Sequence, residues 1–218
     1  MTDFTDFFDE TKVINLDKDE DMMRSFEKEA RKAGIDDVQR FSAIEYEIGH
    51  EGCKLSHLSI IEQAYENKNS VLVFEDDCEF IPNFQKEFEK AVLELQKRDW
   101  ALFYLGIGFG PEMKYVPKPV GDHLFKLRHG WFTHALAYNT AYPGLVDHFR
   151  KTKHEVVEKH EAYDHYLSNE FFGRFPCFCA RDVLALQKPR ISNTVGDGRN
   201  FVPPLLRHFE QQKARALR

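Results

Sequence analysis

Val71, Leu72, Val73 and Phe74 form an unbroken apolar run that ends directly in Glu75, Asp76 and Asp77. A run this short and this apolar reads as a strand buried on both faces, which requires a sheet covered by helices on each side. The three carboxylates then stand at the carboxyl end of that strand, where open α/β sheets bind their ligands. The segments around it keep the alternation of strand and helix. Val13 to Leu16 reads as a short buried strand, followed by Met23, Phe26, Ala30 and Ala33 at helical spacing and by Gly34 as the cap. Val38 to Ile44 reads as a second strand, and Leu55, Leu58, Ile61 and Tyr65 as the apolar face of a second helix. Phe84, Phe88, Ala91, Val92 and Leu95 give a third helix, and Ala101 to Leu105 the next strand.

Beyond Gly106 the pattern loosens. Short strands are expected near Leu124 to Leu127 and Thr133 to Tyr138, with helices near Ala141 to Arg150 and Tyr163 to Phe171. A long loop follows Ile191 and gives way to a short helix from Leu205. The fold class is therefore α/β, a single domain with a mixed central sheet flanked by helices. A chain of 218 residues with 42% hydrophobic and 30% charged residues has the composition of an ordinary globular domain.

Several classes of function are disfavoured. A net charge of −6 argues against a dedicated nucleic-acid binder. The apolar stretch Ala101 to Gly110 is far shorter than the roughly 20 residues of a membrane helix, and Met1 to Glu10 is acidic where a signal peptide would be basic and then apolar. No membrane span is expected, and a cytoplasmic location is. Cys53, Cys78, Cys177 and Cys179 lack the paired spacing of a zinc site, so a reducing compartment fits, with Cys177 and Cys179 as buried small hydrophobes on one strand face. No G-x-x-x-x-G-K-[ST] sequence is present, which speaks against a P-loop kinase.

Three adjacent carboxylates in a partly dry site repel one another unless a cation holds them, and hard oxygen ligands suit Mn²⁺ or Mg²⁺. The competing reading is a solvated acidic turn. At this point the sequence resembles the family 25 glycosyltransferases. Val71 to Phe80 (VLVFEDDCEF) is similar to that family's acidic metal-binding motif, and Gly52, Cys53, Ser56 and His57 match its G-C-x-x-S-H segment. Val13 to Leu16 resembles its V-I-N-L strand, Asp99 to Gly106 its strand ending in Leu-Gly, and Thr133, His134, Ala135 and Tyr138 its G-T-H-A-Y strand. Asp164, Tyr166, Gln187 and Ser192 stand at matching later positions. The chain departs from the pattern at Trp131 and Phe132, where a glycine would precede Thr133, and at Asn193, where the family has Asp.

The resemblance implies a GT-A type domain that moves a hexose, commonly from a UDP-sugar, to a hydroxyl of a glycan or glycoprotein with Mn²⁺ or Mg²⁺. It divides the chain into a nucleotide-sugar-binding half at about 12–106, an acceptor-side half at about 107–193, and a lid and C-terminal tail at 194–218. Asp77 and Glu75 would hold the metal, with Asp76 or Glu75 accepting from the ribose instead. Asn15, Arg24, Ser56, His57 and Gln187 would bind the nucleotide sugar, although Arg24 also reads as a surface residue and Ser56 and His57 as packing at a helix start. Asp164 is the candidate base for an inverting transfer, or else a helix cap; His134 and His165 are alternatives to it. Lys188 and Arg190 would neutralise the leaving diphosphate. Thr194 to Pro204, hinged at Gly196 and Gly198, would close as a lid and bring His208 to the metal, although His208 also reads as a surface helix histidine. Two other functions share these features: a non-catalytic nucleotide-sugar or glycan-binding module, and a metal-dependent nucleotidyl- or phosphotransferase.

Overall fold

The computed structural model describes residues 7–110, 115–158, 162–188 and 202–218. Their elements in chain order are β1 (Glu10–Asn15), α1 (Glu20–Lys32), β2 (Gln39–Ser42), α2 (Gly49–Glu66), β3 (Ser70–Glu75), β4 (Cys78–Phe80), α3 (Phe84–Leu95) and β5 (Leu102–Tyr104). The second half contributes β6 (Lys118–Pro119), β7 (Leu124–Leu127), β8 (Ala135–Asn139), α4 (Leu145–Glu158), α5 (Tyr163–Glu170), β9 (Cys177–Ala180), β10 (Ala185–Gln187) and α6 (Val202–Ala216). Among the described residues no helix is long and apolar enough to cross a membrane.

The main sheet has eight strands in the order β2-β1-β3-β8-β5-β9-β7-β6. β1 is parallel to both β2 and β3, whereas β8 runs antiparallel to its neighbours β3 and β5. The reversal at β8 decides what lines the functional edge. The carboxyl ends of β1, β2, β3 and β5 point the same way, and β8 adds its amino end there, so residues 133–134 arrive beside Glu75.

Alternation along the central strands supplies both layers of the core. Val71, Val73, Leu102, Tyr104, Leu136 and Tyr138 face one side, under residues of α2, α4, α5 and α6. Leu72, Phe74, Phe103, Leu105, Ala135 and Ala137 face the other, under α1 and α3. Val71 to Phe74 have no exposed surface at all, in keeping with a strand buried on both faces. Cys177 and Cys179 are buried on one face of β9, as small hydrophobes.

Three expectations are corrected. Ser56 and His57 do not open α2, which begins at Gly49: its early turns bury Glu51, Lys54, Ser56 and His57, polar residues that an apolar pattern does not register. Asp164 is not the cap of α5, since Ala162 holds that position and Asp164 lies in the first turn. The last helix starts at Val202 instead of Leu205, placing Pro203 and Pro204 in its first turn, where a missing N–H is tolerated. Arg190, Ser192, Asn193 and the proposed hinges Gly196 and Gly198 lie outside the described residues.

Candidate active site

The site is built at the carboxyl ends of β1 and β3, where the register sets Ile14 opposite Glu75. Asn15 closes β1 and is buried. Its Nδ2 donates to Asp76 Oδ2 at 2.8 Å and to the Asp19 carbonyl at 3.0 Å, while its Oδ1 accepts from Arg40 Nε at 2.9 Å. A guanidinium can only donate, so Arg40 fixes which end of the Asn15 amide faces Asp76. Arg40 comes from the neighbouring β2 and also pairs with Asp17.

Asp77 is held from the opposite direction. β4 and β10 form a small antiparallel ribbon in which Gln187 opposes Cys78. Gln187 Nε2 donates to Asp77 Oδ2 at 3.0 Å, and the Lys188 backbone N–H donates to the Asp77 carbonyl at 2.8 Å. The Lys188 ammonium donates to Ser25 Oγ on α1 at 2.7 Å. Asp76 and Asp77 are 5% and 2% exposed, so this is a built pair and not a solvated turn. The amide bonds from Asn15 and Gln187 fix the direction of two hard oxygen ligands without cancelling their charge, a donor set that fits Mn²⁺ or Mg²⁺.

Glu75 belongs to a different neighbourhood. It follows Val71 and Val73 onto the α2 side of the sheet, where Thr133 Oγ1 donates to its Oε1 at 2.8 Å. His57 Nε2 and Cys53 Sγ each lie 3.8 Å from the same oxygen. Burial alone would push the Glu75 carboxyl up, but His57 and Thr133 outweigh it and hold it below its ordinary value. On its other side, His57 Nδ1 is 3.0 Å from the Tyr138 hydroxyl, which is 3.1 Å from that of Tyr163.

The G-C-x-x-S-H segment thus does two things at once, because residues four apart share a helix face. Ser56 Oγ donates to the Gly52 carbonyl at 2.7 Å and accepts from the Ile44 N–H at 2.9 Å. A side chain at Gly52 would meet the Ile44 carbonyl at 2.4 Å, so this crossing needs glycine. Cys53 and His57 face Glu75 instead.

Asp164 reaches the same region from α5. Its Oδ1 accepts from the His165 N–H at 2.9 Å and its Oδ2 from the Phe132 N–H at 3.2 Å. Residues 131–134 therefore run between Asp164 and Glu75. The Cys53 thiol is pushed well above its usual value by burial and then by the negative charge of Glu75, Asp77 and Asp164. His134 is buried with Nε2 3.1 Å from the Ala185 carbonyl, a packing arrangement, and burial pushes its imidazole down. His165 stacks on Trp131, ring centroids 5.0 Å apart.

Arg24 stands apart from this assembly in the contacts it makes. Arg24 is 62% exposed and pairs with Glu20 and Asp21 of its own helix. His208 lies on α6 with its Nε2 3.2 Å from Gln212 Nε2. A cation beside the first strand is Arg40, whose reach to Asn15 and Asp17 depends on the pairing of β2 with β1 and so is not carried by the periodicity of the sequence.

This arrangement is a mixed α/β domain of GT-A-like fold. In fold the chain is similar to the crystal structure of a glycosyltransferase involved in the glycosylation of the major capsid of PBCV-1, with a TM-score of 0.54 and 12% identity over 92% of this chain and 98% of that one. Residues 48–107, from α2 through β5, match the family model of glycosyltransferase family 25 (LPS biosynthesis protein). Over that segment the chain is similar to glycosyltransferase family 25. It is 44% identical over 61 residues to the probable inactive glycosyltransferase 25 family member 3 of Rattus norvegicus and, equally, to the inactive glycosyltransferase 25 family member 3 of Homo sapiens. Each alignment takes in 27% of this chain and only 11% or 10% of the relative, so the match spans about a tenth of their length.

Proposed function

We propose that this chain is a metal-dependent glycosyltransferase that moves a hexose from a nucleotide sugar, a UDP-sugar in the first instance, to a hydroxyl of a glycan or glycoprotein acceptor. The observation that carries the reading is the buried Asp76–Asp77 pair at the end of β3, oriented by Asn15 and Gln187 inside the segment that matches the family. Asp77 is assigned to Mn²⁺ or Mg²⁺ at the donor diphosphate, and Asp76, turned toward the end of β1, to the ribose hydroxyls. A cation bound there neutralises the leaving diphosphate. Lys188, next to Gln187, adds positive charge on the same side.

Asp164 is assigned as the group that takes the acceptor proton. Its two backbone donors, Phe132 and His165, hold the carboxylate in one orientation, and orientation is the first requirement of a general base. Titration calorimetry tests the donor side: UDP is expected to bind tightly with Mn²⁺ and weakly with EDTA, and Asp77→Asn to lose the metal-dependent part with its melting temperature kept. Equal UDP affinity with and without the metal overturns the reading. On the acceptor side, Asp164→Asn is expected to keep donor binding and lower transfer by about 10²-fold or more.

A second reading has a specific observation behind it, since the curated relatives are named as inactive. On that reading the chain binds a nucleotide sugar without turning it over. A panel of nucleotide sugars separates the two, because a binder saturates with its ligand and releases neither transfer product nor free UDP.

A further inference from the structure

Cys53, His57 and Glu75 each direct one ligand atom to a common point, all three atoms lying within 4.8 Å of one another. We infer that this cluster is a second metal site, selective for Zn²⁺ and separate from the acidic pair at Asp76 and Asp77.

The geometry is close to what zinc needs. Tetrahedral Zn²⁺ with bonds of about 2.0–2.3 Å sets its ligand atoms roughly 3.3–3.7 Å apart. Cys53 Sγ and His57 Nε2 are each 3.8 Å from Glu75 Oε1, so small side-chain rotations complete the site. Cys53 and His57 are four residues apart on α2, the spacing that puts two ligands on one helix face. Glu75 comes from the sheet opposite.

The surroundings are those of an oriented ligand set. Among the described residues His57 Nε2 has no hydrogen-bond partner, although His57 is completely buried. With Nδ1–H donating to Tyr138, whose hydroxyl passes its own hydrogen to Tyr163, the Nε2 lone pair faces the cluster. A ligating histidine almost always has its other nitrogen fixed in this way. Thr133 orients Glu75 by a 2.8 Å bond to the same Oε1, an oxygen with a second lone pair for the ion. Charge closes as well: a thiolate, a carboxylate and a neutral imidazole balance one dication, giving a neutral complex in a buried place. Binding displaces the Cys53 thiol proton to solvent. Thiolate and imidazole favour Zn²⁺ over Mn²⁺ and Mg²⁺, which suit the all-oxygen pair next door. Cys53 is only half-buried, so an ion has a way in and a fourth position for water.

The test uses the full chain stripped with a chelator and titrated with Zn²⁺ alone, with Co²⁺ as a spectroscopic substitute. The expected result is one Zn²⁺ per chain and a cobalt–thiolate band in the near ultraviolet. Cys53→Ser should abolish that band and weaken Zn²⁺ binding by about 100-fold, and Tyr138→Phe should weaken it by about 10-fold with the band retained. Asp77→Asn should leave both signals intact while losing Mn²⁺-dependent UDP binding, which keeps this inference and the proposed transferase site distinguishable. A folded wild-type chain that takes up no Zn²⁺ would reduce the cluster to a His57–Glu75 ion pair, and undiminished Zn²⁺ binding by Cys53→Ser would move the ion elsewhere; either outcome overturns the assignment. The cobalt band is read on the wild-type chain, so the test stands even if a variant fails to fold.

Discussion

Among the described residues Phe132 has the largest positive φ of any non-glycine residue. Its φ is +77°, a left-handed conformation that suits glycine and is an outlier for a bulky residue. The motif that the sequence resembles has glycine before Thr133, and this chain has phenylalanine there in a conformation that suits glycine. What it gains is a ring over Gly108, which has no Cβ to obstruct it, and edge contact with His134 at 5.5 Å. Comparing Phe132→Gly with Phe132→Ala isolates the backbone, because both lose the ring. The glycine variant should be more stable than the alanine variant by about 1–2 kcal/mol in denaturant unfolding, and equal stability would show that the backbone there is unstrained. The sequence marked the departure at Phe132 but gave it no meaning. Composition carries no dihedral angles, and the same blindness left Asp164 divided between cap and base until Ala162 was seen to hold the cap.

Among the elements, helices were legible wherever one face is apolar, as in α1 and α3, and misjudged where burial is polar. The first half of α2 buries Glu51, Lys54, Ser56 and His57, so its periodicity begins only at Leu55. α6 was shortened for another reason: Pro203 and Pro204 are read as breakers in a strand or helix interior but are at home in a first turn. That helix is anchored by Phe209, which is fully buried with its ring edge-on to Phe109 at 5.3 Å. Phe209→Ala is expected to destabilise the fold by about 3–5 kcal/mol. Leu217→Ala, at an exposed position just past the helix, should stay within about 0.5 kcal/mol. Calorimetric melting of the two variants checks both values.

For the molecule as a whole, the parallel half β2-β1-β3 could be read from alternating strand and helix, whereas the order beyond β3 could not. β8 enters between β3 and β5 from the far half of the chain, and the strands of the β4–β10 ribbon have three residues each, too few for a pattern. Acid stability follows from how the second half packs. The imidazole of His148 lies between Phe171 and Phe175, and burial, then Arg174 and Lys151, hold it below its ordinary value despite the opposing pull of Glu170. The unfolded chain therefore takes up this proton first, so the contribution of His148 is present above about pH 6.5 and is lost as pH falls toward the folded value. Melting temperature measured from pH 7 down to pH 5 should fall less steeply in His148→Gln than in the parent. The reversal at β8 bears equally on how the molecule comes together in time. Thr133 reaches Glu75 across 58 positions and Gln187 reaches Asp77 across 110, so each half of the site waits for a long loop to close. Where such contacts form after the rate-limiting step, changes to them act on the rate of unfolding. The advantage of Phe132→Gly over Phe132→Ala should accordingly be seen in stopped-flow traces as slower unfolding, with the two refolding rates nearly superimposed.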